Sequence, residues 1–376
     1  MIIRRKPTRK TDFSILYYIM ILAVLVYAMT TVQQNSVPVS VAEPDNWDVV
    51  LDTFFYERNE ILLNGNTDEL KPMYASNERN SRWALELETN RSKYLKAWAE
   101  RQGIRFTGIS SDLNIKKTRK VGRGYAFYVM VSTTYTYVYE NMPEKENLFR
   151  IGTYHSLDLI PGSGEGTWVI SREWYLDPFQ DSLSQKAEDV EEIRAYITAQ
   201  TERDFSGISE MRRKAVEYAD LYAGAASDGQ NGYAYNEEYP NFNSRGGDCS
   251  NYVSQSLHES GFSTGRGWNY TSNSASRSWC NAAGLQGYLV WSGRAYAVAQ
   301  GSFGKVYQAA YQLVPGDVIA YVEKGKVVHM ALVTGADSRG YPLVNTHTTD
   351  RYRVPWDLGW NDDDIKFILM KVNYPS

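Results

Sequence analysis

The run Tyr125-Ala126-Phe127-Tyr128-Val129-Met130-Val131-Ser132-Thr133-Thr134-Tyr135-Thr136-Tyr137-Val138-Tyr139 constrains this chain more than any other stretch. Side chains on a strand alternate between two faces, and here one face carries Tyr125, Phe127, Val129, Val131, Thr133, Tyr135, Tyr137 and Tyr139. Thr133 alone on that face is neither aromatic nor aliphatic, and threonine is itself a β-former. A strand of this length needs partners and a layer to cover its apolar face. Further strand patterns follow at Phe149–Leu159 and Trp168–Tyr175, with a hairpin turn signal at Pro161-Gly162-Ser163-Gly164-Glu165-Gly166 between them. Ahead of the sheet, Val49, Val50, Phe54, Ile61 and Leu62 give one helical stripe, and Trp83, Leu87, Tyr94, Leu95 and Trp98 give another. The spacing predicts an α+β domain over residues 46–180, with helices on one face of a curved antiparallel sheet.

The order of these elements resembles the cystatin-like and nuclear-transport-factor-like folds, with Trp174-Tyr175-Leu176-Asp177-Pro178-Phe179 suiting the last strand. A resemblance of fold carries no function. His155 falls in a strand pattern without a partner nearby and reads as a structural histidine. The expected role of the domain is spacing, or contact with a protein partner.

The N-terminus has its own logic. Arg4, Arg5, Lys6, Arg9 and Lys10 precede a mostly apolar run from Phe13 to Val32. About 18–20 such residues in a helix cover ~30 Å of hydrocarbon. Positive charge ahead of the run would hold the N-terminus in the cytoplasm. Residues 13–32 are therefore expected to be a transmembrane helix, placing the chain in the cell membrane as a single-pass protein with its later domains outside. Cleavage after Val26-Tyr27-Ala28 would make it secreted instead. The expected divisions are a basic tail and anchor (1–32), a linker (33–45), the α+β domain (46–180), a helical linker (181–206) and a C-terminal domain (207–376).

Chemistry concentrates in that last part. Gly246-Gly247-Asp248-Cys249-Ser250-Asn251-Tyr252-Val253-Ser254-Gln255 puts a thiol at the start of a helix. Backbone N–H groups and the helix dipole favour negative charge there, and the thiolate is the nucleophilic form of cysteine. A thiol hydrolase also needs a base. The chain has four histidines. His258 would sit about 13.5 Å further along the same helix, out of reach. His155 belongs to the other domain. His329, in the strand pattern Val327-Val328-His329-Met330-Ala331-Leu332-Val333-Thr334-Gly335, and His347 remain. Asn345 and His347 share one strand face, and either could orient the base. The backbone N–H of Cys249 would help form an oxyanion hole. Asp248 is expected to cap the helix or fix the loop beside the substrate.

The start Tyr235-Asn236, the Gly-Gly-Asp-Cys-Ser-Asn-Tyr-Val-Ser-Gln core and His329-Met330-Ala331-Leu332-Val333 together resemble the bacterial "putative amidase domain" family. That family looks like a branch of the NlpC-type and CHAP-type cysteine hydrolases of the papain-like superfamily. The resemblance covers about residues 207–372. It implies a papain-like domain with the nucleophile helix packed on an antiparallel sheet, Cys249 as nucleophile and His329 as general base and acid. By likeness to NlpC-type enzymes it favours His347 as third member over Asn345, and it makes Tyr235 a substrate contact. The implied substrate is a peptide amide, with peptidoglycan suggested by export.

Composition narrows the rest. A formal net charge of −4, with no long basic block after the first ten residues, gives nucleic-acid binding no support. Two cysteines, Cys249 and Cys280, are too few for a disulfide scaffold, and a bridge between them would disarm the nucleophile. No Cys-x-x-Cys spacing points to zinc, so neither metal nor organic cofactor is implied. The aromatic-rich stretch Ser263–Ser302 suits either a cleft wall or a packing layer. The expectation is an extracytoplasmic cysteine amidohydrolase acting through a thioester. The rivals are a transpeptidase-like acyltransferase using the same thiol and an inactive binding or scaffold module.

Overall fold

The computed structural model describes residues 46–164, 166–179, 190–227, 234–360 and 364–375. The chain divides into two units, Met1–Glu43 with Gly164–Gly166, and Pro44–Ser163 with Thr167–Ser376. Every described helix and strand belongs to the second unit.

Two long helices open it. Helix α1 (Trp47–Asn64) starts at Asn46, whose side chain accepts from Asp48 N at 2.8 Å, and stops at Gly65 with φ 75°. It buries Leu51, Phe54, Phe55, Arg58 and Leu62, a spacing of three and four residues that makes one stripe. After a 3-10 turn (Thr67–Met73), α2 (Arg79–Gln102) buries Tyr94, Leu95 and Trp98. Its covered face also carries the charged residues Glu88, Arg91 and Arg101. Glu88 lies between Arg58 and Arg91, so the stripe shifts toward these ions and leaves Trp83 54% exposed. Then come β1 (Ile104–Val121), β2 (Gly124–Tyr139), β3 (Met142–Pro161) and β4 (Trp168–Trp174), an antiparallel meander. Seven of the eight residues predicted for the covered face of β2 are buried, Thr133 being half-buried.

Helices α3 (Val190–Thr198) and α4 (Glu210–Leu221) lead to α5 (Cys249–Glu259). A small ribbon, β5 (Tyr270–Thr271) and β6 (Ser274–Ala275), precedes α6 (Arg277–Cys280) and α7 (Ala282–Trp291). The chain closes with β7 (Ala295–Gly301), α8 (Phe303–Ala310), β8 (Val318–Glu323), β9 (Lys326–Ala336), β10 (Pro342–Thr346), β11 (Asp350–Pro355) and β12 (Ile365–Val372).

The strands form one ten-stranded sheet in the order β1-β2-β3-β11-β10-β9-β8-β12-β7, with β4 also on β3. The join between the two halves is β3 with β11, where Gly152 pairs with Asp350, Ile151 with Arg351 and Arg150 with Tyr352. One core runs across this join beneath α1, α2 and α8, from Phe127, Val131 and Tyr137 to Ile319, Val333 and Phe367. A second core packs α4, α5 and α7 against Val318, Ala320, Met330 and Leu332 on the other side of the sheet. Alternation along β9 explains the division, since Met330 and Leu332 face one core while Ala331 and Val333 face the other.

Buried polar groups tie the halves together. Asp357, fully buried, accepts from Trp98 Nε1 at 3.0 Å, from Tyr341 Oη at 2.7 Å and from the Arg101 guanidinium. Asp337 accepts from Tyr137 and Tyr139 at 2.9 and 2.7 Å. Gly152 admits the 3-10 turn Gly224–Ala226 directly onto β3, where a Cβ would lie 2.3 Å from the carbonyl carbon of Ala225.

Two expectations are corrected here. The chain is α+β with a large antiparallel sheet, but the two parts expected to carry separate sheets share one. Among the described residues no helix is long and apolar enough to cross a membrane, so the structure does not bear out the single-pass anchor in the expected fold or its placement in the cell membrane. The segment 13–32, where that helix was expected, lies outside the described residues.

Candidate active site

The loop before α5 sets the site. Gly246 and Gly247 have φ of 110° and 122°, a region that side-chain-bearing residues avoid. This turn delivers Asp248 into the N-cap position and Cys249 into the first turn of α5. Asp248 makes no capping bond to the helix. Its Oδ1 instead accepts from Phe242 N at 2.8 Å and from Asn251 Nδ2 at 2.9 Å, and its Oδ2 lies 2.7 Å from His347 Nδ1. Asn251 also donates to Pro240 O at 2.7 Å and accepts from Trp279 Nε1 at 2.7 Å. Ser254 accepts from Trp268 Nε1 at 3.0 Å, and Gln255 accepts from Tyr218 Oη at 2.8 Å. The polar residues of the cysteine motif are thus a buried lattice that holds the thiol's position, because buried polar groups must be paired. The stretch Ser263–Ser302 joins this lattice as a packing layer, with Trp268 and Trp279 fully buried and 4.6 Å apart.

Cys249 is 8% exposed. Its Sγ lies 3.7 Å from Ser250 Oγ. Burial pushes the thiol up, while the backbone N–H groups of Met330 and Ser250 and the Ser250 hydroxyl pull it down. The thiol is therefore neutral in this state. Cys280 is also a free thiol, half-buried and donating to Ser276 O at 3.4 Å.

His329 precedes Met330 and points the other way along the alternation of β9. Its ring stacks on Trp360 at 4.9 Å and meets the edge of Tyr321 at 5.3 Å. Burial, then the charge of Arg351, pushes its pKa down to about 3, so the imidazole is neutral at ordinary pH. Its Nε2 lies 3.2 Å from Thr346 Oγ1. That hydroxyl has one proton, and Met330 O at 2.8 Å and His347 O at 3.1 Å are both acceptors for it. Thr346 then accepts from Nε2–H, and the lone pair of His329 resides on Nδ1. No hydrogen bond joins Cys249 to His329 or to His347; the nearest link is the backbone of Met330.

His347 occupies the Cys249 side of the sheet. Its Nε2 donates to Tyr222 O at 2.8 Å, and its ring lies 4.1 Å from that of Tyr252. Burial opposes its charge, but the Asp248 hydrogen bond, the charges of Asp350 and Asp248 and the Tyr222 carbonyl outweigh it, and its pKa rises. With both ring nitrogens engaged, His347 holds Asp248 and the loop rather than His329. Asn345 is likewise occupied: it accepts from Thr334 Oγ1 at 2.8 Å and Arg353 N at 2.7 Å, and donates to Ala219 O at 3.1 Å and Asp220 Oδ1 at 2.9 Å. The group against His329 is Thr346. Strand alternation could have found it, since placing Asn345 and His347 on one face puts Thr346 on the other.

Tyr235 donates to the Asp350 carboxylate, and its Oη lies 3.3 Å from that of Tyr154. Burial first, then Asp350, pushes its pKa far up, so it stays a phenol. It lines a cavity of about 520 Å³ together with Asn241, Asn243, Ser244 and Thr348–Asp350 from its own half and Tyr128, Gly152–Tyr154, Trp174 and Leu176 from the first half. Cys249 does not line it, but Thr348 accepts from Asp248 N at 2.9 Å and donates to Asn243 Oδ1 at 3.0 Å, joining the cavity wall to the nucleophile loop. The other two histidines lie elsewhere. His155 is buried in the first half, 2.7 Å from Glu173 Oε1, and His258 Nδ1 lies 2.9 Å from Phe262 O. Among the described residues no three His, Cys, Asp or Glu side chains are placed to hold a metal ion.

Residues 209–370 match the family described as "Putative amidase domain". The uncharacterized protein YhbB of Bacillus subtilis (strain 168) is 29% identical over 171 residues, which cover 43% of this chain and 49% of YhbB. The chain thus spans about half the length of that curated relative. No solved structure matches it. The wider kinship with NlpC-type and CHAP-type hydrolases, and the cystatin-like character of residues 46–180, rest on sequence motifs alone. The family match supports an amidase-family domain over residues 209–370, and with it amide-bond hydrolysis in general.

Proposed function

We propose that this chain is a cysteine-dependent amidohydrolase, with Cys249 as nucleophile and His329 as the base and acid. The observation that carries the reading is the one thiol that begins a helix inside the amidase-family segment, set there by the Gly246-Gly247 turn and the buried hydrogen bonds of Asp248. In the reaction, Sγ attacks the amide carbonyl as its proton passes to His329, which must first turn from the Trp360 face of β9 toward the thiol. The carbonyl oxygen takes the negative charge, which N–H donors at the start of α5 stabilise. Collapse breaks the C–N bond, His329 protonates the leaving amine, and a thioester remains. Water, deprotonated by His329, then releases the acid and the thiol. His329 rests neutral with Thr346 on Nε2 and the ring lone pair on Nδ1, and burial keeps that nitrogen a weak base until the charged ring gains a partner. Thr346 replaces His347 and Asn345 as the residue that orients the base. His347 and Asp248 are positioning residues for the loop, and Tyr235 is a wall of the adjoining cavity.

A peptide amide, such as that of a cell-wall stem peptide, is the substrate class to test first. Purified protein and Cys249→Ala are compared on peptidoglycan fragments, with product amines and acids identified by mass spectrometry. Cys249→Ala is expected to lose about 10³-fold or more in kcat. Equal turnover by the variant would overturn the cysteine mechanism. Reaction of Cys249 with iodoacetamide no faster than free cysteine, together with no turnover of any fragment, would favour the scaffold reading.

A further inference from the structure

We propose that the cavity beside the nucleophile loop is a binding site for a neutral sugar ring, and that its aromatic floor is supplied by the N-terminal half of the chain. The inference rests on the amidohydrolase reading only in making this sugar part of the substrate. Residues 46–180 lie outside the amidase-family match, yet Tyr128 of β2, Tyr154 of β3 and Trp174 of β4 form one wall of the cavity. Their orientation follows from the strand pleat. The opposite faces of these strands bury Phe127, Val129 and Glu173, so Tyr128 and Trp174 stand outward, 46% and 66% exposed. Tyr128 and Tyr154 stack at 5.9 Å with their planes 17° apart, giving a flat shelf. Large aromatics held this far out of the core mark a contact surface.

The lining supplied by the C-terminal half is polar and carries no free charge. Asn241 and Asn243 use their Oδ1 atoms for Asn243 N and Thr348 Oγ1, and among the described residues neither Nδ2 has a protein partner. Ser244 adds a hydroxyl. Thr349 Oγ1 is buried in this wall without a hydrogen-bond partner among the described residues, a cost that a bound polar group would relieve. Asp350 is the one charged residue of the lining, and Tyr235 and Ala225 N already occupy its carboxylate. A ligand here meets an aromatic plane on one side and amide and hydroxyl groups on the other, with no free charge. A sugar matches that demand: its C–H face stacks on aromatic rings, and its rim hydroxyls and any acetamido group pair with asparagine and threonine. A free peptide would need its charged termini accommodated. Through Thr348, the occupied cavity also touches the residue before Cys249, so sugar binding and loop position are joined.

The test uses full-length protein carrying Cys249→Ala, so that binding is read without turnover and does not depend on the catalytic reading. The probe is the tetrasaccharide of N-acetylglucosamine, measured by calorimetry and by tryptophan fluorescence. Saturable binding is expected, weakened about tenfold or more by Trp174→Ala and by Tyr128→Ala. Both side chains are exposed, and circular dichroism checks the fold. Trp291→Ala, at an exposed site on α7, should change affinity less than about twofold. Equal affinity in Trp174→Ala, Tyr128→Ala and the parent would overturn the site. So would absence of saturation at millimolar sugar, or a capped aromatic tetrapeptide binding more tightly than the sugar in the same assay.

Discussion

Replacing His329 by glutamine tests the buried imidazole directly, through the pH dependence of stability. In the folded chain its pKa lies at about 3, against 6.5 for an unhindered histidine, because burial and then Arg351 disfavour the charged ring. Between those values the unfolded chain binds a proton that the folded chain refuses. Unfolding is therefore favoured progressively as pH falls from about 6.5 toward 3, and the contribution of His329 is constant above 6.5. At about 1.4 kcal/mol per pH unit, the full span amounts to roughly 5 kcal/mol, of which about 2 to 3 kcal/mol should be lost between pH 6.5 and 4.5. Other groups move in the same window. Burial lowers His155 and raises Asp337 and Asp350, the latter two with the opposite sign. His329→Gln removes one titration and leaves those in place, so the difference in slope isolates it. Urea denaturation of both proteins at pH 4.5, 5.5 and 6.5 supplies the numbers, and the variant should show the shallower loss. Parallel slopes would refute the neutral imidazole, and with it the reasoning that leaves Nδ1 as a base. The glutamine variant should also lose amide hydrolysis, which links the two readouts.

Two further outcomes test the joined sheet. Asp357→Ala removes a fully buried carboxylate paired with Arg101 and bonded to Trp98 and Tyr341. It should cost about 3–5 kcal/mol in urea denaturation, as for one member of a buried pair. Fluorescence and circular dichroism transitions should stay coincident, since both halves share the loss. Gly152→Ala would set a Cβ 2.3 Å from the backbone of Ala225 and should cost about 1–3 kcal/mol, measured the same way. A neutral result there would mean that the Gly224–Ala226 turn is not seated on β3.

Much of the fold is readable from residues alone, and the exceptions have causes. β2 is legible because an unbroken period of two over aromatic and branched residues has no other structural use. β1 is not, because Lys116, Lys117, Arg119 and Lys120 hide its pattern; it is the outermost strand, where charge discourages edge pairing. The stripe on α2 misplaces Trp83 because burial of Glu88 and Arg91 depends on an ion network that no periodicity reports. The union of the halves hinges on the short strand Asp350–Pro355, whose mixed composition carries no sign of a partner 200 residues away. In the site, the cysteine motif announces its thiol and its helix. Elimination among four histidines leaves His329 and His347, and Thr346, the neighbour of His329, is hidden behind His347, a more familiar partner. The aromatic wall of the cavity escapes notice because Tyr128 and Trp174 lie on the strand face that a domain considered by itself turns to water.

The pairing of β3 with β11 has a consequence for how the protein is made. Synthesis completes β1, β2 and β3 long before Asp350–Pro355 leaves the ribosome, so the Arg150–Gly152 stretch of β3 waits without its neighbour. An uncovered strand edge beside a wide apolar face is a template for pairing with another chain. The wait spans some 200 residues, about 10 to 40 seconds at usual elongation rates. Closing contacts so distant in sequence is also slow once the chain is free. Refolding yield should therefore fall with protein concentration, and fragments that end before β11 should aggregate where the full chain does not.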